Sequence, residues 1–60
     1  MTNESYMVVD SNGNPVGEHM GLRHALIFIQ ALMNEFWQEP YLEYRIIREK
    51  KGDVCEEVRR

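Results

Sequence analysis

The stretch Asp10-Ser11-Asn12-Gly13-Asn14-Pro15-Val16-Gly17, DSNGNPVG, decides how the chain is read. Oxygen-bearing side chains at Asp10, Asn12 and Asn14 match the start of a calcium-binding loop, while Asn12-Gly13 is a strong short-range signal for a β-hairpin. A calcium loop of the EF-hand kind starting at Asp10 would need glycine at its sixth position and a bidentate glutamate at its twelfth. Those positions hold Pro15 and Gly21. Glu18, at the ninth, does not replace the missing ligand, and the residues before Asp10 read as a strand where such a site needs a helix. The stretch is therefore expected to turn a hairpin, with Asn12 and Gly13 at positive φ in a type I′ geometry.

The flanking segments follow from that turn. Ser5 to Asp10, SYMVVD, has the aromatic and β-branched content of a strand, and its apolar residues fall on both faces, which predicts a central position in the sheet. With Asn12-Gly13 as the turn, Val9 faces Val16 and Val8 faces Gly17. Pro15 has no N–H to donate and Gly17 no side chain to bury, so the second strand is expected to be short and to lie at the sheet edge.

A helix comes next. Leu22, Ala25, Leu26, Ile29, Leu32, Met33 and Phe36 recur at spacings of three and four, which marks one buried stripe. Gly21 serves as a weak N-cap, Met20 is placed to staple onto Ala25, and Pro40 disfavours helical geometry at Glu39, so the helix should stop near Gln38. Tyr41 to Glu49, YLEYRIIRE, then alternates as a strand with Leu42, Tyr44 and Ile46 on one face and Glu43, Arg45 and Ile47 on the other. Lys51-Gly52-Asp53 supplies a turn into a last strand, Val54 to Val58. A three-residue loop there would pair Ile46 with Val58 and Arg48 with Glu56.

The expected fold class is α+β: a small ββαββ domain with a four-stranded antiparallel sheet in the order 2-1-3-4 and one helix packed on one face. At 60 residues the chain forms a single domain, 1–60, with 1–4 and 58–60 expected to be loose. So short a chain buries only about 60% of its unfolded surface, which leaves its stability marginal unless a second subunit adds to it. Cys55 is the only cysteine, so no internal disulfide contributes. A lone thiol, no leader-like start and no apolar run long enough to span a bilayer together suggest a soluble, cytoplasmic protein with no membrane partner.

Function is far less legible. His19, His24 and Cys55 show no zinc spacing, the glycines do not form a phosphate loop, and the carboxylates alternate along strands; no enzyme activity, metal, cofactor or small-molecule substrate is expected. Ten acidic against seven basic residues, a formal charge of −3, also weigh against sequence-independent nucleic-acid binding. The alternative retained is a nucleic-acid-associated regulator using Arg45, Arg48, Lys50 and Lys51 on the second hairpin, with Tyr41 and Tyr44 near for stacking. The leading expectation is a protein-protein interaction module, homodimeric or bound to another protein, of accessory or inhibitory type. Its candidate contact residues are His24, Ile27, Phe28 and Ala31 at the flank and back of the helix, Trp37 near the helix end, and Ile47 on the open sheet face.

Overall fold

A computed structural model describes residues 4–60 of the chain. The elements are β1 (Tyr6–Val9), β2 (Pro15–Met20), α1 (Leu22–Glu35), β3 (Glu43–Arg48) and β4 (Val54–Arg59). All strand pairs are antiparallel, and the sheet order β2-β1-β3-β4 is the one that the sequence predicts. The helix lies over β1, β2 and β3. β1 is central because neither of its faces can be left to water: Val8 and Val9 point to opposite sides and are 0% and 3% exposed. Val8 joins Ala25, Ile29, Tyr44 and Ile46 in the core under the helix, while Val9 is buried on the other face beside its partners Arg45 and Pro15.

The first turn differs from the expected type I′ geometry. Gly13 has a φ of 83°, but Asn12 does not share it; His19 is the only non-glycine residue at positive φ among the described residues. Gly13 N–H donates to the Asp10 carbonyl at 3.0 Å and Asp10 N–H donates to the Asn14 carbonyl at 3.0 Å, so the loop is Ser11, Asn12 and Gly13. This is a three-residue hairpin closed by a left-handed glycine. The Asp10 carboxylate selects it, since it accepts the N–H groups of both Asn12 and Asn14 at 2.9 Å. The extra loop residue shifts the register: Val8 still faces Gly17, but Val9 meets Pro15 and not Val16. β2 is an edge strand as expected, but it is not short: Pro15 pairs with Val9, and two register irregularities, at Val16 and across Glu18-His19, let pairing continue to Met20.

The helix starts at Leu22 and stops at Glu35, with Phe36 as C-cap, short of the expected Gln38. Gly21 caps the start through its backbone alone, its carbonyl accepting the Ala25 N–H at 2.9 Å. At the other end, no basic residue lies in the helix's own last turn. Arg60 supplies one from across the molecule. Its guanidinium donates to the carbonyls of Phe36, Trp37 and Glu39 at 3.1, 3.2 and 2.9 Å, and to that of Met33. It thereby satisfies carbonyls that have no partner inside the helix and places a cation at the negative end of the dipole. The backbone N–H of Arg60 also donates to the Leu42 carbonyl at 2.8 Å. Residues 58–60, expected to be loose, are instead held: Val58 is half-buried against the core, Arg59 ends β4, and Arg60 is the cap. Of the N-terminal residues expected to be loose, 1–3 lie outside the described residues, and Glu4 accepts the Tyr6 hydroxyl at 3.0 Å.

The second hairpin closes through four residues, Glu49 to Gly52, not three: Arg48 N–H donates to the Asp53 carbonyl and Gly52 N–H to the Arg48 carbonyl, at 3.0 and 2.6 Å. Tyr44 therefore faces Val58, and Ile46 faces Glu56 where Val58 was expected. The slip is two residues, 58 against 56, and a two-residue slip preserves every side chain's face. The irregularity between Ile46 and Ile47 adds one more residue of shift, so Arg48 pairs with Asp53 at 3.2 Å and not with Glu56.

One close approach positions the helix. A Cβ placed on Gly17 would lie 2.5 Å from Met20 Cε and 2.8 Å from the Phe28 ring. The missing side chain makes the seat in which Phe28 rests on β2. Gly17→Ala should therefore lower stability by about 1–3 kcal/mol, as an overpacked core does. Replacing Arg60 with alanine should cost about 1–2 kcal/mol in chemical denaturation through its lost charge-assisted hydrogen bonds, and should speed amide exchange around residues 36–39 while leaving the strands protected.

Candidate interaction surfaces

Seating Phe28 on Gly17 rolls the helix relative to the stripe expected from periodicity. Ala25 and Ile29 are buried and Leu22, Leu32 and Met33 pack half-buried against the core, but Leu26 and Phe36 are 40% and 46% exposed. Phe28, expected at the contact surface, is drawn into the packing in their place. His24, Ile27 and Ala31 remain on the outer side of the helix, with Ile27 61% exposed.

Trp37 stands out from the connection after the helix at 70% exposure, and Tyr41 follows it at 86%. Tyr41 was expected to begin β3, which instead starts at Glu43. Because Arg60 grips the carbonyls of Phe36, Trp37 and Glu39, the backbone carrying these rings is fixed while the rings face water. Beside them is an open groove of about 170 Å³ lined by Ser11, Tyr41, Leu42, Glu43, Arg59 and Arg60. Leu26, Ile27, Phe36, Trp37 and Tyr41 thus form an apolar display along the helix and its exit. The exposure of three of these, Leu26, Phe36 and Tyr41, is not expected from the sequence, because periodicity alone assigns them to the core or to a strand.

On the open sheet face, Met7 is opposite Ile47 and Val9 opposite Arg45, and Val54, next to Ile47, is 53% exposed. Ile47 is half-buried there, on the far side of the sheet from Ile27. The remainder of this face is an ion-pair ladder: Glu43 to Arg45 at 3.1 Å, Arg45 to Glu57 at 3.2 Å and Glu57 to Arg59 at 3.0 Å. The hydrogen bond to Glu57 and then the charge of Glu43 hold Arg45 above the ordinary guanidinium pKa.

Arg45 and Arg48 of the second hairpin are similarly occupied. Arg45 is enclosed by carboxylates, and Arg48 is held above its ordinary pKa first by the charge of Asp53 and then by Cys55. Lys50 and Lys51 are exposed at the hairpin tip, with no acidic group within 4.0 Å among the described residues. The strand bulge between Ile46 and Ile47 brings Cys55 beside Arg48, a proximity invisible in its acidic sequence surroundings. His19, at φ 57°, is clamped by Glu49, whose carboxylate takes the His19 backbone N–H and meets its Nδ1, both at 2.9 Å. His24 takes no part in this pair. Among the described residues no group of three or more His, Cys, Asp and Glu is placed to hold a metal ion, and no helix is long and apolar enough to cross a membrane.

Compared with known proteins, the chain matches no family model, no curated protein and no solved structure. What the side chains offer is therefore the guide: fixed, exposed apolar surface on one side and neutralised charge on the other. As the only tryptophan, Trp37 reports on the first of these directly. Its fluorescence should resemble that of a water-exposed indole and be quenched readily by iodide or acrylamide; a blue-shifted, protected emission in dilute solution would contradict the exposure of Trp37.

Proposed function

We propose that this chain is a small protein-protein interaction module that acts by occupying a partner protein, and that it works as a homodimer. The observation that carries the reading is the set of exposed apolar side chains, Leu26 and Ile27 on the helix and Phe36, Trp37 and Tyr41 at its exit, where Arg60 holds the carbonyls of Phe36, Trp37 and Glu39. Large rings held on fixed backbone lose little entropy on binding, which is why aromatic anchors dominate interface energetics. The partner surface they suit is an apolar groove that takes the outer side and end of one helix. Glu35 and Glu39 flank Phe36 and Trp37 and are exposed, so a basic rim around that groove would complement them. The single thiol suits a reducing, cytoplasmic setting. An accessory or inhibitory role, in which a small protein blocks or adapts a larger one, needs no catalytic group of its own.

Quantitative pull-down with the full chain tests this. Proteins captured by the unchanged chain should be depleted at least about tenfold by Trp37→Ala, a loss typical of an interface anchor, and also by Ile27→Asp, but not by Ile47→Ser on the opposite sheet face. Equal capture by all four chains would refute an interface on the helix side.

A further inference from the structure

β4 is an edge strand with an unusual charge order: Glu56-Glu57-Val58-Arg59-Arg60 reads acidic, acidic, apolar, basic, basic. The hydrogen-bond pattern fixes which of its backbone groups are free. Arg60 N–H donates to Leu42, in the same register that places Val58 opposite Tyr44 and Glu56 opposite Ile46. Hydrogen-bonded pairs alternate in an antiparallel ladder, so the N–H and C=O groups of 56, 58 and 60 turn toward β3 and those of Glu57 and Arg59 turn outward. Their side chains lie with Arg45 and Glu43 on the open sheet face, since cross-strand partners share a face.

We infer that the outer edge of β4 pairs antiparallel with β4 of a second copy, about a twofold axis at Val58, to make one continuous eight-stranded sheet. This deepens the reading above by naming one partner as the chain itself. In an isologous contact centred on Val58, residue 57 of each copy meets residue 59 of the other, and 56 meets 60. Every charged residue then faces its opposite: Glu57 meets Arg59, and Glu56 meets Arg60. The two outward-facing positions, 57 and 59, are also the pair that would exchange backbone hydrogen bonds. Centring the axis one residue earlier would set Glu57 against Glu57, so the charge order selects a single register.

The other edge is unsuited to this role. β2 carries Pro15, which has no N–H, and the positive φ of His19, and its pairing to β1 is irregular at two places. β4 has neither obstacle across 56–60. The helix also leaves room. It packs over β1, β2 and β3, with Phe28 leaning onto Gly17 of β2. Leu26, about 160° round the helix from Phe28, occupies the opposite flank, on the side from which Arg60 reaches Met33. A twofold axis perpendicular to the sheet puts both helices on one side, with the exposed Leu26 flanks facing each other across the joined β4 strands.

Sedimentation of the full chain over a wide concentration range, with Glu57→Arg and Arg59→Glu, tests the inference. Each substitution acts twice in a twofold contact, so each variant alone should self-associate at least about tenfold more weakly than the unchanged chain. Mixed together they should associate again, because arginine at 57 and 59 of one chain meets glutamate at 59 and 57 of the other. Amide exchange of the unchanged chain gives a readout that needs no variant: the Glu57 and Arg59 amides should gain protection as concentration rises, while those of Glu56 and Val58 are protected throughout. A monomer at all concentrations overturns the β4 pairing but leaves the Trp37-dependent capture of another protein standing. A dimer indifferent to both substitutions, with the Glu57 and Arg59 amides unprotected, also overturns it and shifts self-association to another face. Capture that survives Trp37→Ala and Ile27→Asp in a chain whose β4 amides do become protected would instead remove the partner-binding surface and keep the pairing.

Discussion

Ile29 and Ala25 of the helix form one buried cluster with Val8, Ile46 and Tyr44 of the two central strands, and the rest of the structure depends on it. Val8, Ile29 and Ile46 are its largest fully buried side chains. With no disulfide to restrain the unfolded chain, burial at this one seam must outweigh the entropy of ordering a short polypeptide. The elements around it are secured by local devices. Asp10 closes the first hairpin, Asp53 pairs with Arg48 at the second, and Arg60 closes the helix.

Two of these arrangements also determine what the molecule presents. Gly17 gives Phe28 a place on β2, and the helix that follows Phe28 inward carries Leu26 and Phe36 outward. Arg60 then holds the helix exit, so Trp37 and Tyr41 are displayed from ordered backbone. Stability and display are coupled here: the contacts that hold the helix down are the ones that leave part of its apolar surface uncovered. Apolar area of this kind on a single chain is the usual mark of a contact surface.

Charge is distributed differently. The open sheet face is a ladder of alternating Glu and Arg in which each charge has a neighbour of opposite sign, so it projects little net field. Such pairing uses the guanidinium groups that a phosphate backbone would otherwise meet, and exposed pairs of this type contribute little stability. Their sequence order along β4 matters more than their number, because an edge that is antisymmetric in charge about one residue is complementary to itself.

The sequence alone specified the element order and the sheet order. Those follow from local rules: Asn-Gly between apolar runs, a stripe at spacings of three and four, alternation after Pro40, and a first strand too apolar for an edge. The inward faces of β3 survived even a register error, because a slip of two residues cannot change them. The same chain left the exposed apolar set largely illegible. Ile27 and Trp37 were visible as surplus apolar residues, but Phe28 and Leu26 exchange roles through the missing side chain at Gly17, a contact across elements that periodicity cannot register. Likewise the early helix stop and the ordered C-terminal residues arise from Arg60 meeting carbonyls more than twenty positions away. Local pattern determined which segments are helix and strand; only tertiary packing decided how the helix is rolled and hence which apolar side chains remain in water.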